Sequence, residues 1–202
     1  KPMGDITKIS ATEIPSHDVI CGGFPCQPFS ISGNHEGFKD GRGTLLHEIL
    51  RITKYHQPKV LLLENVKNYQ SHGGGKTLAT TIRLLEEANY QVNFEVLNAS
   101  RYGIAQKRER IYFVCFRKDL KISGFSFPEP IDELVSLEDH LLCPKDPRLK
   151  ELIIERPDLR LNKILPKEAE NRPLRIGTVG KGGQGERVYS TKGHAITLSA
   201  FG

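Results

Sequence analysis

Two short and almost wholly apolar runs constrain this chain more than any other feature: "DVICGGF" at 18–24 and "KVLLLENV" at 59–66. Runs of this length and composition suit strands covered on both faces of a sheet. Between them, "TLLHEILRITKYH" sets Leu45, Leu46, Ile49, Leu50 and Ile52 on one helical stripe, which stops at Gln57-Pro58 because a residue before proline leaves the helical region. The helical period returns in "TLATTIRLLEEANY" through Leu78, Ile82 and Leu85. "QVNFEVLNA" then alternates Val92, Phe94 and Val96 with polar residues, and "RIYFVCF" closes the series. Strand, helix, strand, helix, strand implies an open α/β sheet, whose sites lie beyond the carboxyl ends of the strands. Past Phe116 the pattern dissolves into a proline- and charge-rich stretch, 120–172. Candidate strands follow in "LRIGTV", "RVYST" and "AITLSA" around a glycine cluster. The expected division is 1–138 for the α/β domain and 139–202 for the start of a smaller, mostly irregular and β domain.

Composition narrows the class. No apolar run approaches the roughly 20 residues of a membrane span, and no charged-then-apolar leader is present. Neither end reads as a natural terminus. Four cysteines, Cys21, Cys26, Cys115 and Cys143, form no C-x-x-C pair and no zinc-ligand spacing with the seven histidines, so no metal is expected. Cys21 and Cys115 sit within apolar runs and read as small core residues; a reduced cytoplasmic setting fits. Residues 1–100 carry ten Lys and Arg against ten Asp and Glu, whereas 101–202 carry nineteen against fourteen, so the whole +5 net charge lies in the second half. Within 171–202 five basic residues meet one acid, which suits either a solvated face or a surface for a polyanion.

Two glycine motifs mimic nucleotide sites. "SHGGGKTL" has the Gly-Lys-Thr of a P-loop, but Gln70 stands where its first glycine belongs. "GKGGQG" at 180–185 matches G-x-G-x-x-G, yet the β-branched "ERVYST" behind it cannot open the required helix. Three other pieces carry chemistry: "FPCQ" at 24–27, "ENV" at 64–66 and "QKRER" at 106–110, each beside an expected strand. Alone, Cys26 could be a core residue, a metal ligand, half of a disulfide or a nucleophile.

Together and in this order, the three pieces resemble the Pro-Cys-Gln, Glu-Asn-Val and Gln-x-Arg-x-Arg motifs of the cytosine-5 DNA methyltransferases. The resemblance extends over essentially the whole chain, through "GFPCQPFSISG", "LNASRYGIAQKRERIY" and "VGKGGQGERVYST", and is nearest to the bacterial restriction-modification type. It implies a Rossmann-like methyltransferase sheet, here partial, followed by a partial target-recognition domain. It makes Cys26 the nucleophile that adds to carbon 6 of cytosine. Glu64 is then the acid at ring N3, and of Arg108 and Arg110 one holds the cytosine carbonyl while the other orients Glu64. The prolines around Cys26 fix the backbone that presents its thiol, and the glycine-rich "SISGNHEGFKDGRG" reads as a lid.

The resemblance also implies S-adenosylmethionine as methyl donor, with Asp5 and Ile6 at the adenine and Pro25 and Leu45 walling the cofactor. It implies duplex DNA as partner, met by Ser30, Ser32, Arg42, Gln184, Arg187 and Thr197, with Gln184 or Ser32 replacing the flipped cytosine. The recognition segment at 174–202 suggests the target GCGC. The family's glycine-rich first motif and its late motifs are missing from these residues. The chain is therefore expected to be an internal fragment or half of a split enzyme with a complementary polypeptide, otherwise a monomer, inactive by itself. Three other readings compete: a tRNA cytosine-5 methyltransferase, a non-catalytic DNA-binding fragment and a cysteine hydrolase. The basic recognition segment opposes the first and the intact Cys26, Glu64 and Arg108 the second. For the third, no histidine follows a strand end as a base would.

Overall fold

The computed structural model describes residues 3–25, 45–131, 133–143, 145–151 and 155–196. The chain divides into two compact units, Lys1–Leu97 with Arg110–Phe127, and Asn98–Glu109 with Pro128–Gly202. In the first, strands β1 (Val19–Gly23), β2 (Val60–Val66), β3 (Tyr90–Asn98) and β4 (Glu109–Arg117) form one sheet of order β1-β2-β4-β3. Helix α1 (Leu45–His56) lies between β1 and β2 in sequence, and α2 (Lys76–Glu87) between β2 and β3. β1 and β2 are parallel, with Gly23 beside Glu64. β4 runs antiparallel to β2, pairing Arg110 with Val66 and Tyr112 with Glu64. The sheet is thus mixed.

The α/β expectation stands, with one correction. Both apolar runs were expected to be covered on two faces, and only one face is. Leu61 and Leu63 are fully buried while Leu62 between them is 41% exposed. Ile111, Phe113 and Cys115 of β4 join Leu61 and Leu63 in a single cluster with Leu46, Ile49 and Leu50 of α1 and Leu78 and Leu85 of α2. Successive strand side chains point to opposite faces, so with both helices in one cluster the intervening residues stay open. Cys21 is therefore exposed rather than a core residue; it lies on edge strand β1, in register with exposed Leu62. Cys115 is buried, and burial pushes its thiol up to about 12.

Aromatic rings tie the cluster to the loops above it. Tyr69 meets Phe24 edge-on at 5.4 Å and Phe113 at 6.2 Å between centroids, and its hydroxyl shares a 2.6 Å bond with Thr81 Oγ1 on α2. Tyr90, also buried, donates its hydroxyl to the Pro58 carbonyl at 2.5 Å.

The second unit has a three-stranded sheet, β5 (Arg160–Leu161), β6 (Arg175–Thr178) and β7 (Arg187–Tyr189), all antiparallel. Among the described residues the remainder is 3-10 turns and loops tied by backbone bonds, such as Ser190 N to Leu174 O at 2.8 Å and Leu137 N to Gly193 O at 3.0 Å.

Candidate active site

The antiparallel return of β4 is what assembles a site. Glu64 is near the carboxyl end of β2 and Arg110 near the amino end of β4, and antiparallel pairing brings those two ends to the same edge. There Arg110 Nε meets Glu64 Oε1 at 2.8 Å, with the guanidinium side chain 16% exposed and the carboxylate 34%. Parallel pairing brings the end of β1 to the same edge. Gly23 lies beside Glu64, and a Cβ there would sit 3.3 Å from Glu64 Oε2, so the glycine leaves room for the carboxylate.

Asn65 then fixes the chain that leaves β1. Its Nδ2 donates 2.8 Å to the Phe24 carbonyl, and its Oδ1 accepts from Val66 N at 2.8 Å. Only 2% exposed, it has both ends of its amide engaged, as a buried polar group must. Phe24 N in turn bonds Glu64 O at 3.5 Å. The backbone of Phe24 is thus held from β2, by the one residue of "ENV" between Glu64 and Val66, to which sequence reading alone assigns no role. An asparagine inside an otherwise apolar strand was the available signal, since it needs a buried partner.

Cys26, Ser30, Ser32, Arg42 and Thr197 lie outside the described residues. Arg108 is exposed and belongs to the second unit, where its amide donates to Asn98 Oδ1 at 3.2 Å and its carbonyl accepts from Ala99 N at 3.0 Å. Gln184 opens the 3-10 turn Gln184–Glu186 and Arg187, exposed, opens β7. The loop before them is shaped by acids. Asp158 accepts from Gly180 N at 2.8 Å and Glu186 Oε2 from Gly183 N at 2.7 Å. Gly180 adopts φ +55° with Glu186 Oε1 where a Cβ would go, so a side chain there would both strain the backbone and collide. The Arg156 guanidinium and the Gly180 amide hold the Asp158 carboxyl well below the usual range.

Ile6 and Leu45 share a cavity of about 380 Å³, together with Ile14, His17, Ile20, Ile49, Ile52 and the edge of β1. That volume falls within the roughly 300–1,000 Å³ of small-molecule sites, and its lining is mainly aliphatic, as a flat purine ring requires. Asp5 caps the adjoining turn, its Oδ1 accepting from Thr7 Oγ1 at 2.8 Å and Thr7 N at 3.0 Å. Those two donors hold its carboxyl below the ordinary value. These residues fit an adenosyl group. Pro25 is exposed and is not part of the cavity lining. Among the described residues no three His, Cys, Asp or Glu side chains gather as a metal site would require, and no helix is long and apolar enough to cross a membrane.

A mixed α/β sheet with its polar groups collected at one strand edge is the architecture of the Rossmann-like methyltransferases. The structure resembles that of a mutant of Spodoptera frugiperda DNMT2, with TM-score 0.53 and 23% identity over 70% of this chain and 45% of that one. It resembles Entamoeba histolytica methyltransferase EhMeth similarly, with TM-score 0.53 and 20% identity over 71% and 45%. The C-5 cytosine-specific DNA methylase family matches residues 1–175, and the chain belongs to it. Type II methyltransferase M.HhaI of Haemophilus parahaemolyticus is 51% identical over 202 residues, which are all of this chain and 61% of that protein. Type II methyltransferase M.BsuFI of Bacillus subtilis is 37% identical over 94% of this chain and 51% of its own length. The chain thus spans between half and two thirds of these relatives.

Proposed function

We propose that the whole protein is a DNA cytosine-5 methyltransferase of a bacterial restriction-modification system, acting in the cytoplasm on a cytosine flipped out of duplex DNA. The observation that carries this reading is the Glu64–Arg110 pair, set at the strand edge where Asn65 anchors the backbone entering Cys26. Carbon 5 of cytosine is a weak nucleophile. Addition of the Cys26 thiolate to carbon 6, while Glu64 in its protonated form gives its proton to N3 and recovers it when the thiolate departs, converts the ring to an enamine with electron density at carbon 5. S-adenosylmethionine, held by Asp5, Ile6 and Leu45, supplies the electrophilic methyl when bound. A water molecule acting as base then takes the carbon 5 proton, and the C–H electron pair restores the C5–C6 double bond as the bond from carbon 6 to the Cys26 sulfur breaks.

Arg110 orients Glu64. Because the cytosine carbonyl is adjacent to N3, the same guanidinium, with five N–H donors in all, is the group we assign to that oxygen, and Arg108 is assigned to a phosphate. Gln184 and Ser32 serve the gap that the flipped base leaves, and Arg187 reads a base edge. Residues 1–138 would form the catalytic part and 139–202 the beginning of target recognition. The target proposed for the recognition segment at 174–202 is GCGC.

The test uses duplex DNA with 5-fluorocytosine at the target, incubated with the whole protein. Fluorine cannot leave as a proton does, so the protein stays joined to DNA through Cys26, and only with S-adenosylmethionine present. Peptide mapping locates the adduct. Methylated product without a trapped adduct, or an adduct at Cys21, would falsify this mechanism.

A further inference from the structure

Arg51 stands outside every motif in the sequence, yet it joins two parts of the chain more than forty residues apart. Its Nη2 donates to the Ile9 carbonyl at 2.8 Å and to the Ile6 carbonyl at 3.2 Å. Its Nε donates to Glu48 Oε2 at 2.8 Å, one turn earlier on α1. We infer that Arg51 is a positioning residue for the adenosyl end of the cofactor site, clamping the Asp5–Ile9 segment onto α1. The inference rests on the functional reading above, in that the cavity beside Ile6 is taken as the cofactor site.

The need for a clamp follows from local structure. Ile6–Lys8 is a single 3-10 turn with no buried residue, and one turn of this kind has little stability of its own. Of its two backbone bonds, Lys8 N to Asp5 O is 3.0 Å, and the one that closes it, Ile9 N to Ile6 O, is 3.4 Å. Ile6 nonetheless forms one wall of the cavity, while Leu45, Ile49 and Ile52 form another from α1. Those three repeat at helical spacing on one face of α1, and Glu48 and Arg51 lie on the adjacent row. From that row the guanidinium reaches the Ile6 and Ile9 carbonyls, on the segment that supplies the other wall.

Its planar fork reaches two carbonyls and a carboxylate at once, which a lysine ammonium on a flexible stem cannot reproduce. A second tie, from a His56 ring nitrogen to the Ala11 carbonyl at 2.8 Å, fastens the next 3-10 turn to the end of the same helix. Arg51 thus sets the height of Ile6 above Leu45 without touching the ligand.

The experiment measures S-adenosylmethionine binding by calorimetry on the whole protein, with the methylation kinetics and melting temperature of each variant. Arg51→Met should weaken cofactor binding and raise its KM by about tenfold or more, the scale of losing hydrogen bonds to a charged donor. The kcat at saturating cofactor and the affinity for DNA should stay within about twofold. Arg51→Lys should recover part of the loss, and Glu48→Gln should show a smaller one. Should Arg51→Met fold poorly, the lysine and glutamine variants carry the same comparison.

Hydrogen exchange at the amides of 6–13 should quicken in the methionine variant while that of β2 does not. Unchanged cofactor affinity, or a loss of kcat and DNA affinity in step with cofactor affinity, would overturn the inference alone. Failure of the unsubstituted whole protein to bind S-adenosylmethionine would overturn the functional reading and this inference with it.

Discussion

The two units solve the same problem with different materials. In the first, Leu46, Leu61, Leu63, Leu85, Tyr90, Ile111 and Phe113 are all essentially inaccessible. In the second, among the described residues, the large buried apolar side chain is Leu174, whereas Leu134, Leu142, Leu161 and Ile164 are exposed. What orders the second unit is polar. His194 N donates to Arg172 O at 3.1 Å, Glu138 N to Thr191 O at 2.8 Å, and Asp139 takes Ser136 N and Oγ at 2.9 and 2.8 Å. Burial is non-directional and cumulative, whereas a hydrogen bond nets only about 0.5–1.5 kcal/mol. The Glu64–Arg110 pair therefore sits on the unit ordered by burial, and the surface proposed to read DNA on the one ordered by polar ties.

Mutation should expose that contrast most strongly in the core. Phe113→Ala removes the ring facing Tyr69 and Phe94 and should cost the first unit about 3–5 kcal/mol. Denaturant titration with hydrogen exchange tests this; equal loss of protection in the second unit would break the comparison.

Asn65→Ala should cost less, about 1–3 kcal/mol, by stripping the Phe24 carbonyl of its donor. It should also lower kcat in the whole protein more than it raises the KM for DNA, because the backbone before Cys26 is released. A smaller effect still belongs to His194. Its imidazole is buried, and burial holds its pKa below the ordinary value. The unfolded chain therefore takes up the proton first as pH falls. Stability of the second unit should decline below about pH 6.5, down toward the lowered folded pKa. His194→Leu should flatten this decline, and an unchanged pH profile would remove His194 as its cause.

The least disruptive change is Arg175→Ala on β6, with no expected effect on stability. It should reduce the slope of log affinity for DNA against log salt by about one, the signature of one phosphate contact. Lys192 is a poorer choice, since its Nζ already donates to Lys167 O at 2.6 Å.

The sequence made the strands and helices of the first unit legible because apolar periodicity follows burial directly. It left the direction of β4 unread, for "RIYFVCF" has the same alternation whichever way the strand runs. Yet that direction is what unites Arg110 with Glu64. Coverage on one face was misjudged for a similar reason: "VLLL" cannot say that Leu62 faces outward and Leu63 inward. Family motifs pointed to Glu64 and Arg110, but nothing local marked Arg51, whose partners are backbone carbonyls with no side-chain identity. In the second unit short strands and polar ties leave little periodicity to read, though "LRIGTV" and "RVYST" did locate β6 and β7.

The antiparallel return of β4 also bears on when activity can appear. Phe24 and Asn65 are separated by 41 residues, and Glu64 and Arg110 by 46. Contacts of such separation form late, because closing a long loop precedes any reward from it. No segment holds even half of the site by itself. During synthesis the Phe24 carbonyl must wait for Asn65 of β2 to emerge, and Glu64 for Arg110 of β4. Glu64 and Arg110 consequently come together only once β4 has joined the sheet.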